Sequence, residues 1–294
     1  MGLRGKRAVR APVTSDNGMT VLDYQRPRSL SEALELLLRD DAVALAGGTD
    51  LMVAIRHRAA DPAVVVDLKS VEEIRDDIAV EEDRLVIGGR VVMSRLVSHD
   101  VVNAQFPALA SAASVVGSVQ IRNRATLAGN LCNASPAADT APALLAYSAS
   151  LTLASGDSGR TVPLSDFFLG PGATILDRGE VVTSVEVPIP TGPIGSAFAR
   201  VTRRRGVDLA SVSLACVVEP SGRARFGFGA VGPTPLVAES TVEDLATDDG
   251  LERLLSVTSP ISDVRAGADY RGAMLRVHAR RALEAAVGQL RARS

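Results

Sequence analysis

Apolar and polar positions fall into short blocks whose spacing changes along the chain. Ser29 and Glu32 form an S-x-x-E capping box that opens a helix over SEALELLLRD. An apolar run at Ala42–Ala46 reads as a buried strand. It stops abruptly at Gly47-Gly48 and gives way to a helix-like stretch from Leu51 to Arg58. Ala63–Asp67 and Leu85–Gly88 read as two more buried strands, and helical spacing covers Ser94–Val102 and then Pro107 to about Gly117. Thr126–Pro136 has no usable period and is rich in Gly, Asn and Ser. A loop is expected there, an unusually apolar one.

After Leu144 the character changes. Ser150–Ala154, Val181–Val187, Phe198–Thr202, Val212–Glu219 and Arg225–Phe228 are β-like runs separated by Gly, Pro and Asp turns. Two helices are expected to finish the chain, Leu236–Ala246 and roughly Tyr270–Leu290. Pro188–Gly195 (PIPTGPIG) is the best domain boundary. The pattern predicts an α+β protein, with a mixed amino-terminal part and a smaller sheet-plus-helices carboxy-terminal part. No internal repeat stands out.

Composition narrows the function. At 294 residues the chain has room for about two domains, and 46% hydrophobic with 22% charged residues excludes general disorder. A net charge of −2 gives no basic footprint for nucleic acid and no polybasic anchor for membranes. Three Tyr, six Phe and no Trp argue against a base-stacking platform or an aromatic membrane belt. A ligand must be held mostly by backbone, aliphatic and small polar groups. Cys132 and Cys216 are too few for a disulfide scaffold, a four-cysteine zinc site or an iron–sulfur cluster held by this chain, and they suit a reduced, cytoplasmic setting. Residues 1–18 are basic without an apolar h-region, so they read as a disordered leader, and Met19 would serve equally as a start. The uncharged run Val101–Ile121 is broken by Asn103, Gln105, Pro107 and several serines, and reads as a packed helix rather than a membrane span.

Two segments carry candidate chemistry. In Ala46-Gly47-Gly48-Thr49-Asp50-Leu51 the glycines permit close backbone approach, and their N–H groups, with Thr49 and the start of the next helix, suit a phosphate. A plain strand-to-helix turn accounts for the same residues equally well. Thr126-Leu127-Ala128-Gly129-Asn130 is a second small-residue segment of the kind a diphosphate needs on its other side. Neither contains a lysine, which argues against a P-loop. Asp139 opens a helix; residue physics favours a capping role over hydrogen bonds to sugar hydroxyls. Other strings carry little. Gly227-Phe228-Gly229-Ala230-Val231-Gly232 satisfies G-x-G-x-x-G without the rest of a dinucleotide fold. Arg203-Arg204-Arg205, Glu72-Glu73 and Glu81-Glu82 read as solvated charge, and His57, His99 and His278 assemble no triad or metal set.

AGGTDL followed by IRNRATLAGNLCNASPAADTAPALLA resembles the FAD-binding medium subunit of the molybdenum hydroxylases, the carbon monoxide dehydrogenase and xanthine dehydrogenase type. FFLGPGATILDRGEVVTSVEVPIP, AFARVTRRRGVDLASVSLA, GAVGPTP and DYRGAMLRVHARRALEAA extend the resemblance over the chain from about Met19. It implies a two-subdomain FAD-binding fold of the p-cresol methylhydroxylase type over 19–190, divided near 74, and a small carboxy-terminal α+β domain over 195–294. The two segments would hold the diphosphate of a non-covalent FAD, and Asp139 would contact its sugar or ribityl portion. Val182 would pack near the isoalloxazine, Arg200 would approach the ring, and Val116 would stand where relatives stack an aromatic on adenine. No side chain is implied as a general acid or base.

The resemblance also implies partners: a large molybdenum-cofactor (molybdopterin) subunit and a small [2Fe–2S] subunit, joined as a heterotrimer or its dimer. Electrons would pass from the clusters through FAD to an external acceptor. The chain departs from the family at Ala128, where Gly-Gly is usual, and at Gly89-Arg90-Val91-Val92, where threonines are usual. An alanine needing positive φ would cost about 1 kcal/mol or more. These departures keep a flavin-free interaction subunit open, and the fold also suits a stand-alone FAD oxidoreductase.

Overall fold

A computed structural model describes residues 22–156 and 158–293; the leader expected at 1–18 lies outside them. The described chain begins by alternating strand and helix: β1 (Asp23–Gln25), α1 (Leu30–Leu37), β2 (Ala42–Leu45), α2 (Leu51–Arg56) and β3 (Val64–Asp67). The strands form a parallel sheet in the order β1–β3–β2, with Val43 beside Val65 and Ala44 beside Val66. β3 is buried along its whole length, as a central parallel strand should be. The Ser29 side chain caps α1, accepting from the Glu32 N–H at 3.3 Å. Glu32 reaches the Arg28 N–H rather than that of the cap itself, so the box is only half closed.

β4 (Ile78–Glu81) and β5 (Arg84–Gly88) open a second sheet. Six helices follow: α3 (Met93–Ser98), α4 (Asp100–Gln105), α5 (Pro107–Ser114), α6 (Val119–Arg122), α7 (Leu127–Cys132) and α8 (Thr140–Ala146). The sheet resumes with β6 (Ser150–Ser155) and β7 (Ser158–Pro163), passes a small hairpin of β8 (Phe168–Gly170) and β9 (Ala173–Thr174), and ends at β10 (Glu180–Pro188). Its five strands run antiparallel in the order β4–β5–β10–β6–β7. Leu85, Ile87, Leu151, Leu153, Val185 and Val187 send one face into a core shared with Leu109, Leu127, Leu131 and Leu144.

Three expectations change here. The helix predicted over Ser94–Val102 breaks at His99, whose extended backbone (φ −84°, ψ 123°) separates α3 from α4. The run Val101–Ile121 makes three helices, interrupted at Phe106 and again at 115–118. The loop expected at Thr126–Pro136 starts with α7: the Thr126 side chain accepts from the Gly129 N–H at 3.0 Å, and Leu127, Ala128 and Leu131 are buried. A six-residue helix is too short for its period to register.

The remaining strands, β11 (Gly195–Val201), β12 (Val212–Val218), β13 (Arg223–Gly229) and β14 (Leu236–Thr241), form an antiparallel sheet in sequence order. α9 (Val242–Leu245), α10 (Asp248–Leu255) and α11 (Ala268–Arg293) follow. The helix expected over Leu236–Ala246 is therefore mostly strand; pairing with β13 overrides its local pattern, and only the last residues turn helical. α11 lays Leu275, Ala279, Ala282, Leu283 and Ala286 on one sheet face, while the fully buried α8 covers the other. A Cβ at Gly227 would come 1.9 Å from the Pro142 carbonyl oxygen. The G-x-G-x-x-G string is thus a packing device that lets β13 lie directly on α8.

Candidate functional site

Parallel pairing puts the ends of β2 and β3 on one edge of the first sheet, the carboxyl edge at which such sheets bind ligands. Ala46–Asp50 turn there. Gly48 has φ 76°, a conformation that side chains rarely adopt. Gly47 is constrained differently: a Cβ there would lie 2.1 Å from the Arg124 carbonyl oxygen and 2.9 Å from the Ala125 Cα. The first loop rests on the backbone leading into the second motif. At Gly129 a Cβ would lie 2.7 Å from the Thr126 Oγ1 and 3.9 Å from the Ala46 Cβ. The two motifs therefore meet. Thr49 Oγ1 donates to the Asp50 carboxylate at 3.3 Å, and Asp50 makes no cap bond to α2. Leu51 is half-buried.

Positive charge reaches this edge from outside both motifs. Lys69 Nζ lies 2.6 Å from the Asp67 carboxylate and 3.5 Å from the Ala46 carbonyl oxygen. Arg90 Nη1 donates to the Lys69 carbonyl at 2.6 Å, while its Nε is buried without a hydrogen-bond partner among the described residues. Burial works to raise the Asp67 carboxyl, but hydrogen bonds from Lys69 and Tyr24 outweigh it and hold the group below the ordinary carboxylate range. Asp67 thus stays charged and fixes Lys69 beside the loop. Sequence reading missed Lys69, which lies in neither glycine motif, and named Arg90 only as part of a departure from the family; the signal for Lys69 was a lysine two residues past the end of a buried parallel strand.

A second cluster forms where α8 meets the carboxy-terminal sheet. Asp139 makes no side-chain cap bond, so the role favoured from residue physics is not the one the structure gives it. Its Oδ2 accepts from Arg200 Nη1 at 2.8 Å. Arg200 also donates to the carbonyls of Val115 at 3.0 Å and Asp208 at 2.8 Å, tying β11 to two other segments. Burial raises the Asp139 carboxyl to about 6, against the lowering influence of the Arg200 charge. Asp139 Oδ1, Ser211 Oγ, Ser213 Oγ and Asp208 Oδ2 are all buried without hydrogen-bond partners among the described residues. Each such group costs about 1–3 kcal/mol unless a partner is supplied. A ligand rich in hydroxyl and ring amide groups supplies them, so this donor and acceptor set fits a flavin nucleotide.

Asn130 connects the two clusters, its Oδ1 accepting from Thr140 Oγ1 at 2.6 Å. The Leu127 and Ala128 side chains point into the core, which leaves their backbone for a ligand. Ala128 is right-handed within α7 and has no positive φ, so the strain expected there is absent. Val116 is half-buried next to the carbonyl that holds Arg200. Val182 is 6% exposed and belongs to the core that contains Leu127 and Leu131. Arg203–Arg205 are exposed, and among the described residues no group of His, Cys, Asp and Glu could hold a metal ion. Among the described residues no helix is long and apolar enough to cross a membrane.

Comparison with known proteins agrees with this geometry. Residues 18–190 match the family model described as FAD binding domain in molybdopterin dehydrogenase, and residues 197–286 match the CO dehydrogenase flavoprotein C-terminal domain. The chain is 33% identical over 278 residues to the carbon monoxide dehydrogenase medium chain of Hydrogenophaga pseudoflava, covering 90% of this chain and 96% of that one. It is 31% identical to the xanthine dehydrogenase FAD-binding subunit of Escherichia coli O157:H7, covering 90% and 95%. A solved carbon monoxide dehydrogenase from Hydrogenophaga pseudoflava superposes with a TM-score of 0.84 at 30% identity, over 96% of this chain and 100% of that chain. Quinoline 2-oxidoreductase from Pseudomonas putida 86 gives 0.83 at 28% identity, over 92% and 98%. The α+β architecture, an FAD-binding domain followed by a smaller one, is the architecture of these structures.

Proposed function

The chain belongs to the family of FAD-binding medium subunits of molybdenum hydroxylases, and from that we propose that it holds FAD non-covalently and relays electrons from the [2Fe–2S] clusters of a partner subunit to an external acceptor. It is an oxidoreductase subunit. In this reading the molybdenum cofactor sits on a large subunit and the clusters on a small one, and the complex works in the cytoplasm. The bound isoalloxazine would supply the redox chemistry. This chain's own residues bind and orient it. Ala46–Asp50 and Thr126–Asn130 enclose the diphosphate with backbone N–H groups, and Lys69 and Arg90 add charge at its edge. Asp139, held by Arg200, offers Oδ1 to ribityl or ring donors, and Val116 flanks the adenine end. Residues 19–190 would act as the flavin domain, with 195–294 closing over it through Arg200.

The observation that carries this reading is the meeting of the two motifs at Gly47 and Gly129. Gly47 tolerates no side chain because another backbone occupies that space; nothing in an ordinary strand-to-helix turn requires that. The flavin-free alternative drew on an Ala128 strain that α7 does not have. Desalting the purified chain and recording its visible spectrum tests the proposal. Oxidised-flavin bands at one FAD per chain support it, and a colourless protein that takes up no added FAD defeats it.

A further inference from the structure

One cation at the meeting of the two motifs has no counter-charge. Arg90 stands two residues past the end of β5, and its N–H donates to the Arg75 carbonyl at 3.1 Å. The residues that follow it pair with the start of the second motif. The Leu127 N–H donates to the Val91 carbonyl at 3.0 Å, and Val92 bridges Thr126. The Arg90 side chain reaches the Lys69 carbonyl past the end of β3, and the Lys69 Nζ lies 3.5 Å from the Ala46 carbonyl of the first motif. Arg90 is therefore one residue removed from each motif. It is also a bond between the part of the chain that carries the antiparallel sheet and the parallel sheet.

Its neighbours are neutralised. Lys69 pairs with Asp67, Arg75 with Asp77 and Glu81, and Arg95 with Asp76. Arg90 is half-buried, and among the described residues no carboxylate lies within ion-pair distance of it. Nη1 bonds a neutral carbonyl, which leaves the charge uncompensated, and Nε is buried without any partner among the described residues. A desolvated donor costs free energy until an acceptor is supplied, and more so when the donor is charged. A hydroxyl would satisfy one N–H but not the charge. A phosphate does both, because its oxygens match the planar fork of a guanidinium. Lys69 cannot do the same, since Asp67 already holds its charge. The inference rests on the proposed binding of FAD and goes beyond it to how the cofactor is chosen. We propose that Arg90 is the specificity-determining residue for the diphosphate: Nε and the second amino group take phosphate oxygens, so the chain selects an ADP-bearing flavin over uncharged riboflavin.

The test uses the purified full-length chain freed of flavin, as wild type, Arg90→Gln and Arg90→Lys, with urea midpoints to show that each is folded. FAD, ADP and riboflavin are titrated into each by calorimetry at low and high salt. The wild type should bind FAD and, more weakly, ADP, and both should weaken as salt rises while riboflavin does not respond. Arg90→Gln should lose about tenfold or more in affinity for FAD and for ADP and flatten both salt dependences, with riboflavin within about twofold of wild type. Arg90→Lys keeps the charge without the fork, so it should lose less than Arg90→Gln and keep the salt dependence. A smaller loss of FAD affinity in Arg90→Gln overturns the proposal. So does an equal loss for riboflavin, which would make Arg90 a strap between the two sheets rather than a phosphate ligand. Should Arg90→Gln not fold, the other two proteins decide. ADP binding that ignores salt in the wild type, or a salt dependence that vanishes in Arg90→Lys, overturns the proposal equally. A wild type that binds neither FAD nor ADP defeats the functional reading itself, and this proposal with it.

Discussion

The two halves of the candidate site are built by opposite means. At the carboxyl edge of β2 and β3 the first motif works by absence: Gly47 leaves room for the Arg124 carbonyl, and charge is supplied by Lys69 from a different strand end. At the start of α8 the second half works by presence. Asp139 is buried and paired with the half-buried Arg200, near hydroxyls and a carboxylate oxygen with no partner among the described residues. At Gly47 the first half leaves no room for an added atom, because backbone rather than a movable side chain fills the space. The second carries unsatisfied polar groups that a ligand would relieve, so it should be the half whose energetics change most when FAD binds.

Adding one methyl group to the first half should have the largest effect. Gly47→Ala places its Cβ 2.1 Å from a backbone oxygen, which cannot rotate away as a side chain could. The two motifs must separate, and we expect FAD content after desalting to fall below a tenth of wild type. Gly48→Val strains a φ of 76° and meets the Leu45 side chain at 2.9 Å, which has somewhere to go. Its loss should be smaller. Equal FAD content in Gly47→Ala and wild type would remove the junction as the diphosphate site.

The second half can be probed by titration. Asp139 has a carboxyl raised to about 6 in the folded chain against an ordinary value of 3.8. A raised folded value means stability that is fully present below about 3.8 and lost as pH rises through about 6. Between pH 5 and 7.5 the flavin-free chain should lose about 1–2 kcal/mol from this group alone. Asp139→Asn should abolish that part of the slope in urea midpoints and weaken FAD binding at least tenfold. An unchanged slope would mean that Asp139 does not titrate in this window. Compared with Gly47→Ala, the effect is graded and pH-dependent where the other is steric and absolute.

The same contrast explains how much of the molecule was legible beforehand. The capped helix α1, the strands β2, β3, β5, β6 and β10 and the long helix α11 carry clear periods and were readable to within a few residues. α7 and β14 were not: a six-residue helix defined by the Thr126 cap has no period, and β14 becomes a strand only because β13 lies beside it. Both glycine motifs could be found by residue type, because absence of a side chain is visible in a sequence. That Gly47 faces Arg124, or that Arg200 and Ser213 converge on Asp139, depends on which strands stack against which helices. The cationic contribution of Lys69 was hidden for the same reason. It becomes adjacent to Ala46 only through the β2–β3 pairing.

Lys69 therefore gives a weaker test of the first half. Its side chain is 38% exposed and its charge is shared with Asp67, so solvent screens much of its pull on a phosphate. Lys69→Met should weaken FAD binding several-fold at low salt and by less as salt rises. A Kd series against ionic strength for both proteins checks this. If the two curves stay parallel, Lys69 is a structural partner of Asp67 and contributes nothing to the cofactor.

The smallest effect is expected where the sequence raised the most concern. Ala128 replaces a glycine usual in the family, and a left-handed backbone there would make Ala128→Gly restorative. In α7 the residue is right-handed, with its methyl buried at 5% exposure beneath the Thr126 cap. Glycine at that position gives up the methyl contact and adds backbone entropy, a cost of roughly 1 kcal/mol in a helix interior. Ala128→Gly should lower the urea midpoint slightly and leave the FAD Kd within about twofold of wild type, because in the proposed site the ligand would meet only backbone there and the backbone path is unchanged. Tighter FAD binding by the glycine variant would show that the second motif changes conformation when the cofactor enters, and the contrast between a preformed first half and a responsive second half would then extend into α7 itself.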